Sequence, residues 1–522
     1  MTKQPLPRQI DSFYDEAYHS ASASSRHAFW LIILALGIAN CGDATEISCM
    51  NFILSNKGFQ EEMLEGDFKK RGALIASSIF VGMLFGGLMA GAYSDRVGRR
   101  PILLLGLLMN AISGTFSALS VNVAMLCLCR MGSGLGVGAV VSSLITLTTE
   151  LSPPSHRGFY VTVVAAFWTV GSIFVALLAM VIFGQYNASW RIFALCCAVP
   201  SALAFIMVYI FVPESARYLA LHGKYVEATK SANQVAHAFG YRGAPLDIEE
   251  VQSLFPNRGG SLVQMTSAKE HVTQAVQGLR NLYKPGLRMS TTIPLQLIWL
   301  TLSFGSGLCG WITTIFENLN VSDIYFTSLV FSASNIPGNI IASLYMDKIG
   351  RNTVLKWSMI LSAVSLMIFA NAAGSGKASP AEIVFYACAF HAFLVGGWCA
   401  VSCISSEMFP TDVRSTGVGA CAAVGRIAAI TASFVNGALV DQPSLLLLVA
   451  SCSMLVGAFT PFAFGMVDLA NQLLRDTSPH GTKGGIIKNC FPIKGESDSN
   501  GKSIEMSSSG VQSPEKINRE IV

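Results

Sequence analysis

One short charged phrase occurs twice in this chain, and its repetition constrains the fold more than any other feature. Asp95-Arg96-Val97-Gly98-Arg99-Arg100 is followed by Glu150 and Arg157; Asp347-Lys348-Ile349-Gly350-Arg351-Asn352 is followed by Glu407 and Arg414. The second set lies 252 to 257 residues after the first, and in both the glutamate precedes its arginine by seven residues. Both phrases stand between long apolar runs. A chain written this way reads as two copies of one helical unit, with charged clusters on the same membrane face of each.

The 522 residues are 52% hydrophobic and 13% charged, which makes lipid the main solvent. Apolar stretches able to cross a hydrocarbon layer of roughly 30 Å fall at 28–52, 72–94, 101–120, 122–148, 158–183 and 191–212. After a polar interval come 290–316, 323–346, 353–373, 381–405, 415–440 and 443–467. The expectation is an all-α membrane protein of twelve transmembrane helices in two six-helix bundles. With both termini in the cytosol, 27 of the 35 Lys and Arg lie inside and six outside, leaving Arg130 and Arg426 within spans. That bias fixes the orientation. The first 26 residues mix charged, aromatic and serine residues and do not resemble a cleavable signal.

The divisions that follow are a cytosolic N-terminal tail at 1–27, bundles at 28–212 and 290–467, a cytosolic linker at 213–289 and a disordered cytosolic tail at 468–522. Residues 224–240 of the linker have the pattern of a short amphipathic helix. Of the 13 cysteines only Cys490 lies outside the spans, which argues against disulfides and metal sites. Asn187 and Asn320 are sequons in short outer loops.

Gly91-x-x-x-Asp95-Arg96-x-Gly98-Arg99-Arg100, with its weaker copy after the eighth span, resembles the signature of the major facilitator superfamily. Pro213-Glu214-Ser215-Ala216-Arg217-Tyr218-Leu219 resembles the segment closing the sixth helix in sugar-porter-like members. Ile336-Pro337-Gly338 and the run from Glu407-Met408-Phe409-Pro410-Thr411 to Gly425-Arg426-Ile427 are most similar to the synaptic-vesicle-protein-related and aromatic-acid:proton symporter branches. The resemblance covers about 28–467 and implies the major facilitator fold and alternating access. Span seven carries Pro294-Leu295-Gln296-Leu297 in place of the paired glutamines of sugar porters, which counts against a hexose. Asn335 stands where relatives with this Pro-Gly often carry a glutamate.

Four strongly ionisable residues lie well within spans, away from their ends: Asp43 and Glu46 in the first, Arg130 in the fourth and Arg426 in the eleventh. Each would cost about 3 kcal/mol at a helix centre if unpaired. Helical rise puts Asp43 about 22 Å above the cytosolic start of its span and Arg130 about 12 Å below the outer surface, nearly one level. An Asp43–Arg130 pair with Glu46 alongside is the expected geometry. Two readings stand: a static pair holding helices together, or a proton-coupling site in which the surplus acid titrates. Arg426 falls near the midplane among Ala422, Ala423, Ala428 and Ala429, where a guanidinium suits capture of a carboxylate or, alternatively, is satisfied by helix carbonyls. His391 lies at similar depth and reads more readily as a packed histidine. Trp168, Trp299, Phe304 and Trp398 are candidates to wall a cavity, with Asn335 as a further substrate contact.

The resemblance implies that Asp95, Arg96, Arg99, Glu150, Arg157, Glu214 and Arg217, mirrored by Asp347, Arg351, Glu407 and Arg414, form a cytosolic gate. Gly132, Gly134, Gly136 and Gly138 form two four-spaced pairs that favour close helix contact in span four. With two acids and two arginines in the membrane, one added proton leaves a charge of +1 that a bound monoanion cancels. The expected function is therefore secondary transport of a small organic anion, a monocarboxylate or aromatic acid, with proton symport. The alternatives are a facilitator for a sugar or polyol and a non-transporting vesicle-membrane or receptor-like protein. No nucleophile–base set, Walker loop or cofactor motif is apparent, so an enzyme is not expected. The expected partners are substrate, proton and bilayer, without nucleic acid, in a monomer of the plasma or a vesicle membrane.

Overall fold

Polar caps fix where several of the long helices begin. The structure is a computed structural model describing residues 9–254, 277, 279–375, 378–409 and 414–466. In it Asp67 accepts from the Lys70 amide at 3.3 Å and Asn122 from the Met125 amide at 2.8 Å. Ser379 and Glu382 form a reciprocal capping box, with Pro380 at the first helical position. Such caps satisfy amides that lipid cannot.

Eleven helices among the described residues are long and apolar enough to cross a membrane. The first six segments are His27–Leu54, Phe68–Val97, Arg99–Ala118, Val123–Leu151, Arg157–Ala179 extended by a wider turn over Met180–Gln185, and Trp190–Phe211. The seventh is Ile293–Ser306, a tighter turn at Gly307–Trp311, then Ile312–Asn318. The ninth to twelfth are Arg351–Ser375, Pro380–Met408, Arg414–Leu439 and Pro443–Ala463. The eighth is split into Ile324–Ala333 and Asn335–Ile349. Its break has an identifiable cause: Pro337 removes an amide and its ring crowds the carbonyl four residues back, at Ala333. With it the chain crosses twelve times, and no strand is formed among the described residues.

Spans one to six pack together, as do seven to twelve, and the two bundles meet mainly along spans two and eleven and along five and eight. Span four shows how its glycines work. A side chain at Gly134 or Gly138 would strike the backbone of span two near Ile79 and Gly87, whereas one at Gly136 would strike Gly106 and Asn110 of span three. The 134/138 pair thus faces one neighbour, and the 132/136 pair the other. The repeat is equally visible in the backbone. Gly98 and Gly350 end spans two and eight at φ of 114° and 91°, a region that suits glycine.

Within the expected N-terminal tail, Ile10–Ser20 is a helix with Phe13, Tyr14, Ala17 and Tyr18 buried. The linker contains the helix Tyr225–Phe239, inside the range its pattern indicated. The C-terminal tail expected at 468–522 lies outside the described residues.

Candidate functional site

Span one is apolar on most sides yet buries Asn40, Asp43, Glu46 and Asn51. At one helical turn apart, Asp43 and Glu46 share a face, and each has its own partner. Arg130 donates from Nη1 to Glu46 Oε2 at 2.7 Å and to Cys49 Sγ at 3.3 Å, and from Nη2 to the Glu46 carbonyl at 2.5 Å. Both residues are 1% exposed.

This corrects the Asp43–Arg130 pairing expected from helical rise. The first helix runs to Leu54 and the fourth is capped at Asn122. Glu46 and Arg130 each sit eight residues, about 12 Å, from those neighbouring ends, while Asp43 sits roughly 16 Å away. Beside the pair is a cavity of about 10 Å³ lined by Glu46, Cys49, Gly114, Ser117, Arg130 and Trp190. It has room for about one water.

Asp43 is fully buried and less satisfied. Asn110 of span three donates from Nδ2 to its Oδ1 at 3.3 Å and to Ser201 Oγ of span six at 3.1 Å. Asp43 Oδ2 has no hydrogen-bond partner among the described residues. The charge that acts on it across the bundle boundary is Arg426 of span eleven. Arg426 is half-buried and makes no hydrogen bond or ion pair with the other described residues. The four charges therefore divide: Glu46 and Arg130 pair within the N-terminal bundle, while Asp43 of span one and Arg426 of span eleven act on each other electrostatically without a direct bond.

The aromatic candidates separate in the same way. Trp299 donates to Ser405 Oγ at 2.9 Å and meets Trp398 edge-on with ring centres 5.5 Å apart. A Cβ at Gly425 would touch the Trp299 ring, so this pair lies against the helix that carries Arg426. Trp168 is exposed and Phe304 half-buried. The next residue, Thr169, accepts from Asn339 Nδ2 at 3.0 Å, linking spans five and eight. His391 stacks on Phe331 at 4.0 Å, and its Nδ1 lies 2.8 Å from the Phe331 carbonyl beside the break in span eight. Asn335, just past that break, is buried, and its Oδ1 lacks a partner among the described residues.

At the end that bears the termini, the two copies of the charged phrase make the same ion pair. Arg99 lies 3.5 Å from Glu150, and Arg351 lies 2.8 Å from Glu407. Glu214 accepts from the amides of Arg99, Arg100 and Ser215 at 2.8 to 3.3 Å, an anion at the start of span three where the helix dipole favours it. Burial nonetheless pushes its carboxyl above the usual range, with these donors opposing. Arg157 and Arg217 both reach Asp11 of the N-terminal helix. The side chains of Asp95, Arg96, Asp347 and Arg414 lie outside the described residues.

At the opposite end the bundles are bridged. Lys69 lies 2.6 Å from Asp441, the Thr313 amide donates to Asn51 at 3.0 Å, and Phe68 meets Trp311 edge-on. None of these bridging residues stood out in the sequence. The only available signal was a polar residue inside or just outside an apolar run, which Asn51 provides for the bridge and Asn110 beside Asp43.

Two sister six-helix bundles with charged groups buried inside them are the architecture of a membrane transporter. Residues 37–474 match the profile of the sugar (and other) transporter family. The chain belongs to this family of the major facilitator superfamily and is an integral, multi-pass membrane protein. It is similar to rat organic anion transporter 3, 28% identical with 77% of this chain and 71% of the relative covered. It is also similar to rat synaptic vesicle glycoprotein 2C, 22% identical with 83% and 78% covered. The partially occluded inward open xylose transporter XylE from E. coli has the same fold, with a TM-score of 0.67 at 17% identity, covering 87% of this chain and all of that one.

Proposed function

We propose that this transporter carries a small organic anion, a monocarboxylate or aromatic acid, together with a proton. The observation that carries the reading is the pair Asp43 and Arg426. Arg426 has an unmet capacity for bidentate bonding to a carboxylate, and Asp43 has an oxygen without a donor. Since Glu46 and Arg130 neutralise each other, a substrate anion arriving at Arg426 displaces Asp43 as its counter-charge. Asp43 then takes up the proton. Net charge at the site is unchanged, so transport is electroneutral. The resemblance to an organic anion transporter supports the anionic class.

The xylose transporter's shared fold favours a second reading, a neutral sugar. Against it, the lone Gln296 of span seven is half-buried and already engaged with the Tyr283 hydroxyl at 2.8 and 3.1 Å. With the termini cytosolic, the Lys69–Asp441 and Asn51–Thr313 bridges close the outer side. The Arg99–Glu150–Glu214 and Arg351–Glu407 clusters then belong to the cytosolic gate of a monomer. The test is uptake of radiolabelled organic acids and sugars by liposomes holding the purified protein, with and without a pH gradient. Acid uptake stimulated by the gradient and lost in Arg426→Ala supports the reading; sugar uptake alone overturns it.

A further inference from the structure

The helix Ile10–Ser20 carries three acids, and each has a partner in the N-terminal bundle or in the linker that follows it. Asp11 reaches two arginines at once, with Oδ2 2.6 Å from Arg217 and Oδ1 3.3 Å from Arg157. Asp15 accepts from the Ser155 hydroxyl at 2.8 Å and amide at 3.1 Å, and Glu16 accepts from the Tyr241 hydroxyl at 2.9 Å. The helix also packs by its rings: Phe13 meets Tyr241 at 5.7 Å and Tyr18 meets Phe239 at 5.7 Å and Tyr160 at 6.4 Å, all edge-on. A helix this short is not stable alone in water, so its order comes from this docking.

Arg157 and Arg217 belong to the charged set assigned to the cytosolic gate, yet their ion-pair partner among the described residues is Asp11. One carboxylate shared by two guanidiniums leaves a net positive charge, which acids of the C-terminal bundle would attract if the arginines were free to cross. We propose that Asp11 is a positioning residue: the N-terminal helix is a strap that holds Arg157 and Arg217 on their own bundle and so favours the state bridged at Lys69–Asp441. This rests on the gate reading above and adds to it a device that sets the balance between the two states.

The experiment uses the full chain with Lys69→Cys and Asp441→Cys in liposomes, a short bis-maleimide, and mass spectrometry of the linked peptide. The parent is expected to cross-link, and Asp11→Asn to lower the yield about fivefold, the scale of a half-exposed ion-pair network. Asp11→Glu restores it. In an Arg157→Gln, Arg217→Gln background, Asp11→Asn is expected to change nothing further. An unchanged or increased yield in Asp11→Asn overturns the inference, as does a drop that persists without the two arginines, because the helix then acts through packing. Absence of the cross-link in the parent sinks the gate reading and this inference with it; an insensitive cross-link sinks the inference alone.

Discussion

Asp43 and Glu46 sit one turn apart on the same helix and are equally hidden from solvent, yet their surroundings have little in common. Glu46 is matched by a guanidinium that also holds its backbone carbonyl and Cys49, all within one bundle. Asp43 has one side-chain amide, an oxygen with no donor, and a counter-charge on the other bundle. A satisfied pair inside a rigid unit resists change, because breaking it strands a charge in a dry place. A half-satisfied acid facing a half-buried arginine can exchange partners when the bundles move or a ligand arrives.

The largest expected effect breaks the first pair. Arg130→Met, which leaves Glu46 buried and uncompensated, should lower stability by about 3 to 5 kcal/mol. Replacing both partners, Glu46→Leu with Arg130→Met, should recover most of that in thermal unfolding followed in nanodiscs. If the single and double variants melt alike, the pair is not structural.

Arg426→Ala should behave in the opposite way. Acid uptake should fall about 100-fold, the scale of losing a charged anchor from a buried site, while stability shifts by less than about 1 kcal/mol because no bond is lost. A strongly destabilised Arg426→Ala protein would erase the contrast between the two sites.

A smaller effect is expected from Gly98→Ala. Its φ of 114° and the nearby Glu214 carboxylate leave no place for a side chain, so a cost of about 1 to 2 kcal/mol is expected. Gly158→Ala, with open space around it, should be nearly neutral in the same melting assay.

The smallest effect belongs to Glu62, in the loop between spans one and two, whose carboxyl is held below its usual range by hydrogen bonds from Arg191 and Trp190. A depressed folded value adds stability above the unfolded pKa and loses it as pH falls through the folded one. Glu62→Gln should therefore lower the melting temperature slightly near neutral pH and not at all in strong acid. A constant difference across that range would show that the bonds do not depend on the charge.

The fold was legible because lipid enforces it. Twelve apolar runs and a repeated charged phrase leave little choice, and even Gly98 and Gly350 fall at matching turns. The break in span eight follows from Pro337, although its location between two shorter helices was not anticipated. The site was legible only in part. Its charges were evident from their cost, but their pairing was counted across a layer of roughly 30 Å, whereas the first helix has 28 residues and is about 42 Å long, enough to exchange Asp43 for Glu46. Asn110 and Asn339 act through neighbours distant in sequence, as Asp11 does from a segment that reads as a cytosolic tail. Composition alone could not assign those contacts.

The central claim is that Asp43 takes up the proton when an anion takes Arg426. The most direct measurement is uptake of the best-transported radiolabelled acid into liposomes under a pH gradient and, separately, under a voltage. The account predicts that the gradient accelerates wild-type uptake, that voltage does not, and that Asp43→Asn keeps acid exchange but no longer responds to pH. Wild-type uptake driven by voltage and indifferent to pH, or full pH coupling in Asp43→Asn, would contradict it.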